Sequence, residues 1–249
     1  MRRRFDIPDP GEILHFAVES TGMPFEVTVT NPSPRAVAPA WHTAIVLSAL
    51  LGMSIVGALA GVGAHGRVGG YVLAMIFEWA ITGFIWYGLS RRGIRTSELV
   101  GGSWARPLAV IRDIAIAIGF LVIANLALGG LGYLLKATTN QATRNMLPHG
   151  PTEVTVYLLL VVTAGFCEEL IFRGYLQRQF TALTRAAAGG IALQGVVFGA
   201  SHGYQGWKSM LIITVYGVMF GLLAHWRRSL RPGMVAHLLQ DGVGGLLSR

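Results

Sequence analysis

Two stretches of this chain, 43–62 and 114–135, contain no charged residue. Crossing ~30 Å of hydrocarbon takes about 20 helical residues at ~1.5 Å each, so both are long enough to span a membrane. In lipid, backbone polar groups must be satisfied within a helix or a closed barrel. Barrel strands run to about ten residues of alternating polarity, which these long, continuously apolar runs do not resemble. The expectation is an all-α, polytopic membrane helical bundle of about seven transmembrane helices. They lie near 42–63, 70–90, 108–135, 153–177, 187–203, 210–226 and 233–248.

Composition agrees with this. Hydrophobic residues make up 53% of the 249 and charged residues 13%, against about 25% charged in soluble domains. The length leaves no room for a second sizeable core, so residues 41–249 are read as one transmembrane domain. Residues 1–40 differ: they hold Pro8, Pro10, Pro24, Pro32, Pro34 and Pro39 and no apolar run. They read as a polar, cytoplasmic N-terminal extension with a short strand-like piece over 25–30. Arg2-Arg3-Arg4 is followed by Phe5-Asp6-Ile7-Pro8, and a cleaved signal would need an apolar stretch there.

The net charge of +8 could indicate nucleic acid, but the position of the basic residues argues for membrane topology. Arg2, Arg3, Arg4, Arg35, Arg91, Arg92, Arg95, Arg106, Arg112, Arg178, Arg185, Arg227, Arg228 and Arg231 fall at one set of span ends. Arg67, Lys136, Arg144, Lys208 and Arg249 fall at the other. This positive-inside bias places the N-terminus in the cytoplasm and points to substrate access from the cytoplasmic side. No nucleic-acid partner is expected. The lone cysteine, Cys167, excludes an internal disulfide and a Cys-rich metal site and reads as a small apolar residue. Gly57 and Gly61 form a small-xxx-small pair that permits close helix packing.

Charges at membrane depth are costly, about 2.5–3.5 kcal/mol each on insertion scales. The fourth apolar segment nevertheless carries Glu168, Glu169 and Arg173 among hydrophobic residues. Glu169 and Arg173 are i,i+4 and can neutralise each other. Glu168 lies about 100° around an α-helix and has no such partner. A desolvated carboxylate of that kind suits a general base acting on water. Two further elements follow: Phe198-Gly-Ala-Ser-His202 closes the fifth span, and His237-Leu-Leu-Gln-Asp241 opens the last, with its His and Asp again i,i+4. Glu78, in the second span between Phe77 and Trp79, reads as an acid paired with another helix. Asn125, Gln194, Tyr216 and His225 read as interhelical hydrogen-bonding groups. Trp41, Trp104, Trp207 and Trp226 read as interfacial anchors.

Glu168-Glu169-x-x-x-Arg173, Phe198-x-x-x-His202 and His237-x-x-x-Asp241, in this order, resemble the three motifs of the CAAX protease and bacteriocin-processing family. These are the Abi proteins, relatives of the type II CAAX prenyl endopeptidase. The continuation Glu168-Glu169-Leu-Ile-Phe-Arg-Gly-Tyr-Leu-Gln also looks like the family's first motif. The resemblance covers about 150–249, the catalytic-like core, and implies glutamate-dependent intramembrane proteolysis in a bacterial or archaeal cell membrane. It makes Glu168 and His202 the water-activating pair, sets His237 and Asp241 toward the tetrahedral intermediate, and makes Glu169 and Arg173 the structural support. Family members often carry Asn where Asp241 stands. The implied partners are a membrane-anchored protein or peptide substrate and the lipid bilayer.

No cofactor is expected. Glu168, His202, His237 and Asp241 are all potential zinc ligands, but the H-E-x-x-H pattern of zinc hydrolases is absent, and direct activation of water is the favoured chemistry. The competing classes are a non-catalytic immunity or partner-binding scaffold of the same fold and a proton-coupled transporter, for which no internal repeat is visible.

Overall fold

A computed structural model describes residues 35–60, 66–138 and 141–247; the strand-like piece expected at 25–30 lies outside them. The only regular secondary structure among the described residues is helical, without strands. In order, the helices are α1 (Ala40–Ala60), α2 (Gly66–Ser90), the short α3 (Thr96–Val100), α4 (Pro107–Leu134), the short α5 (Gln141–Asn145) and α6 (Pro151–Glu168). A π-helical segment (Glu169–Leu176) leads into α7 (Gln177–Thr184), and α8 (Ala187–Ser201), α9 (Trp207–Arg227) and α10 (Arg231–Leu247) follow. Sequence punctuation explains several starts. Pro107 and Pro151 occupy the first turns of α4 and α6, where a missing N–H costs nothing. Glu153 accepts from the His149 N–H at 2.8 Å, capping α6.

Five helices are long and apolar enough to cross a membrane: α1, α2, α4, α9 and the continuous rod Pro151–Thr184 of 34 residues. The chain is an integral membrane protein. Of the two remaining expected spans, α8 has 15 residues and α10 has 17, both shorter than a span needs. The fourth span does not stop at 177 but runs on as a helix to Thr184, because the π turns at Glu169–Leu176 widen the helix without breaking it.

Side-chain contacts sort the connections into two ends. At one end Gln179 takes the backbone N–H groups of Val37 and Ala38, Arg178 donates to Glu98 O, and the Leu230 N–H donates to Val100 O. At the other, Arg67 donates to Asn145 O, Tyr71 to Met146 O and Lys208 to Lys136 O. The first end holds the arginine-rich segments around residues 91–106, 178–185 and 227–231. The charge asymmetry read along the chain is therefore an asymmetry between two faces of one bundle.

The start of α10 is sunk into the protein. Arg231, Pro232, Gly233 and Met234 are buried. Arg231 pairs with Asp113 at 3.2 Å and donates to Ser103 O, and Asp113 also takes the Trp104 indole N–H at 3.0 Å. Gly101, at φ +77°, lets the α3 turn lie against the Arg228 carbonyl, where a Cβ would collide. His237 lies ~9 Å along α10, whereas Glu169 lies ~22 Å from the end of α7. For near-parallel axes α10 therefore starts roughly 13 Å further in, which lets a 17-residue helix bring His237 to the level of the glutamates.

Glycines set how closely α10 approaches. A Cβ on Gly233 would stand 2.7 Å from Glu169 Oε2, and one on Gly165 would stand 3.3 Å from the α10 backbone. Gly233→Ala should therefore displace a carboxylate that cannot swing away, at a cost of about 1–3 kcal/mol. A melting temperature in detergent equal to wild type would contradict this.

Candidate active site

The site is built where the Pro151–Thr184 rod changes helical type. At the end of the π segment the Gln177 N–H donates to Phe172 O, five residues back. Such turns occur mostly as bulges and often at functional positions. The wider turn changes the side-chain geometry expected of an α-helix, and both glutamates meet the same histidine. His237 Nδ1 lies 3.2 Å from Glu169 Oε1, and its Nε2 lies 3.5 Å from Glu168 Oε2 and 3.5 Å from Asp241 Oδ2. The first is a hydrogen bond; the others are charge contacts. A ring facing carboxylate oxygens at both nitrogens is matched by an imidazolium, which donates from both.

Glu169 and Arg173 pair as the i,i+4 spacing predicts, at 2.9 Å with both side chains fully buried. The guanidinium also lies over the rings of Phe198 (4.4 Å) and Phe220 (4.7 Å) and donates to Gly217 O at 3.4 Å. Glu169 is thus a junction between Arg173 and His237. Helical spacing could not reveal the contact with His237, which is 68 residues away in sequence. Glu168 has no cation in its own helix, as expected, but it has His237 across the α6–α10 contact.

Glu168 and His202 line one cavity of about 280 Å³, together with Glu78, Ser201, Tyr204 and apolar residues of α1, α2 and the π segment. His237 and Asp241 are not among its lining residues and stand behind Glu168. His202 Nδ1 faces the Phe198 carbonyl at 2.8 Å. A carbonyl only accepts, so Nδ1 carries a proton, and in the neutral ring the Nε2 lone pair is left without a backbone partner. Phe198 separates the histidines, its ring centroid 4.9 Å from His202 and 6.2 Å from His237. Among the described residues, no three His, Cys, Asp or Glu side chains are grouped to hold a metal ion.

The cavity reaches Gly66, Arg67, Asn145 and Met146, which belong to the arginine-poor end. The cavity thus extends toward the end opposite the arginine-rich one, from which access was expected. Charge bias reports how a chain inserts and says nothing about where a gap between helices opens.

Glu78 has no helix partner among the described residues. Its Oε2 is buried without a hydrogen bond and it lines the cavity instead. Asn125 bridges to Gln240 at 3.0 Å and Gln194 to Gly217 O at 2.8 Å, as interhelical groups should. Tyr216 makes ring contacts with Phe120 and Phe220, while its hydroxyl has no hydrogen-bond partner among the described residues. Cys167 is fully buried, in keeping with its apolar reading. His42 drew no attention in the sequence. It is buried, bonds Tyr175 Oη at 2.7 Å and stacks on Phe84, so it ties α1 to the π segment and stays out of the cavity.

No curated protein and no solved structure matches the chain. The model of one family, described as Type II CAAX prenyl endopeptidase Rce1-like, matches residues 150–243, the stretch that carries all three motifs, and it is the same CAAX protease family that those motifs resemble.

Proposed function

We propose that the chain is an intramembrane endopeptidase that hydrolyses a peptide bond of a membrane-anchored substrate with water activated by Glu168 and His202. The observation that carries this reading is that those two side chains, from α6 and the end of α8, share one cavity and each keeps a proton-accepting atom toward it. The Glu168 carboxyl lines the cavity while its Oε2 lies toward His237, and the His202 Nδ1 contact with Phe198 O leaves Nε2 without a backbone partner. Water between them loses a proton as its oxygen attacks the scissile carbonyl. His237, with Asp241 one turn on, stands behind Glu168 outside the cavity, so its positive charge acts on the Glu168 carboxylate and favours the tetrahedral intermediate from a distance, without contacting it. Glu169 and Arg173 hold the π segment against α9 and α10. Asp241 contacts His237 only at charge-contact distance, so Asp241→Asn should retain most activity. A loss as large as that of Glu168→Ala would make the carboxylate itself essential.

Metal-free chemistry belongs to the same proposal. Cleavage should persist after exhaustive dialysis against chelator; activity lost there and restored by zinc would replace water activation by Glu168 and His202 with a metal site. The positive-inside asymmetry supports a cytoplasmic N-terminus in a bacterial or archaeal cell membrane, with the bilayer and its anchored substrate as partners and no nucleic acid. The decisive experiment is purification in detergent with a library of membrane-anchored peptides. Wild-type protein should cleave a member of the library and Glu168→Ala, equally folded, should not. Equal turnover by that variant would end this assignment. Immunity or partner binding that survives Glu168→Ala and His202→Ala would favour a scaffold.

A further inference from the structure

α2 is mostly apolar and lipid-facing around its middle, with Ile76 and Trp79 exposed, yet it carries an acid there. Glu78 turns inward and lines the cavity that Glu168 and His202 also line. Its Oε2 is buried and unpartnered among the described residues. Among the described residues no cation forms an ion pair with it. Arg67 lies ~16 Å away along α2, bonded to Asn145 and paired with Glu153. Arg173 is taken by Glu169, and His237 lies among Glu168, Glu169 and Asp241.

The cavity therefore receives two carboxyl groups from two walls, each with an oxygen that makes no hydrogen bond among the described residues. Like charges confined in a poorly polarisable site do not both ionise; such a pair keeps a proton. Geometry separates the two. Glu168 has a histidine nitrogen at 3.5 Å, and Glu78 has no such contact among the described residues, which makes Glu78 the better placed of the pair to hold a proton.

We propose that Glu78 is the second acid of this site, donating a hydrogen bond to the substrate's peptide group and then a proton to the departing amine. The proposal rests on the hydrolytic reading above. Water gives its proton to Glu168 as its oxygen bonds to the carbonyl carbon, and the carbonyl electron pair moves onto oxygen. Collapse of the intermediate breaks the C–N bond, and nitrogen takes the proton from the Glu78 carboxyl. One proton then passes from Glu168 back to Glu78 through solvent, which restores both groups and leaves an acid and an amine as products.

Glu78→Gln keeps the size and an N–H donor but has no proton to release. Its KM should stay near wild type while kcat for a peptide falls roughly 100-fold. An ester of the same acyl segment with a phenol, whose leaving group needs no proton, should be cleaved at nearly the wild-type rate. Glu78→Ala should raise KM as well. Unchanged kcat on the peptide, or equal losses on peptide and ester, would overturn the proposal while leaving the protease reading intact.

A second measurement needs no turnover. Dicyclohexylcarbodiimide, which reacts with protonated carboxyls in apolar surroundings, should modify residue 78 in membranes at neutral pH. Mass spectrometry should find the adduct on the tryptic peptide 68–91, both in wild type and in Glu168→Ala. An unmodified peptide 68–91 would overturn the proposal even if Glu78→Gln failed to fold. If wild-type protein cleaved no peptide or ester, the hydrolytic reading would fail and take the proton-donor role with it. The adduct would still report whether residue 78 is protonated.

Discussion

Glu169→Ala should cost about 3–5 kcal/mol, a large share of the ~5–15 kcal/mol that holds a typical fold together, and its symptom should be poor expression or a collapsed melting temperature. The carboxylate is fully buried and its Oε1 serves Arg173 at 2.9 Å and His237 at 3.2 Å. Removing it leaves a guanidinium inside the bundle with only a long bond to Gly217 O and two aromatic faces. Glu168→Ala removes a carboxylate with no hydrogen bond on Oε2, so stability should hold or rise. Glu169→Gln combined with Arg173→Gln should recover part of what Glu169→Gln loses, since no orphan charge remains. Recovery will be partial, because the stacking on Phe198 and Phe220 goes with the arginine. Thermal melts of these variants decide the matter. A destabilised Glu168→Ala beside a stable Glu169→Ala would exchange the roles assigned to the two acids.

His202→Ala should lower kcat by about 10²–10⁴-fold, the usual contribution of a positioned acid–base group, with little change in melting temperature. The ring's hydrogen bonds are local, to Phe198 O one turn back and to the neighbouring Ser201, so its removal breaks no tie between distant helices. His237→Ala should behave differently. That ring links α10 to both glutamates, and its loss should reduce activity and stability together. If His202→Ala melts as early as His237→Ala, His202 is a packing residue and the activated-water pair loses a member.

The spans were legible because they depend on local composition. Uncharged runs long enough to cross a bilayer leave little choice but helix, and α1, α2, α4 and α9 lie close to where those runs place them. The Glu169–Arg173 pair was legible for the same reason, since four-residue spacing survives the change of helix type. Interhelical contacts were legible only in kind. Asn125 and Gln194 announce a need for partners, and nothing near them in sequence says which. Glu78 shows where this fails. A buried acid in an apolar helix implies an ion pair, but the bundle turns it toward a cavity instead.

By itself, the sequence determined that this chain lives in a membrane as a helical bundle, that its basic residues gather at one end, and which chemical groups are available for catalysis. These follow from hydropathy and residue type, which act over one or two helical turns. Only the tertiary structure decided that α10 begins deep in the protein, that His237 therefore meets Glu169 and Glu168, and that the cavity reaches the arginine-poor end. Those outcomes depend on the relative heights of helices far apart in sequence. Heights are set by contacts such as Arg231 with Asp113 and Gly233 with Glu169, which exist only once the helices have packed.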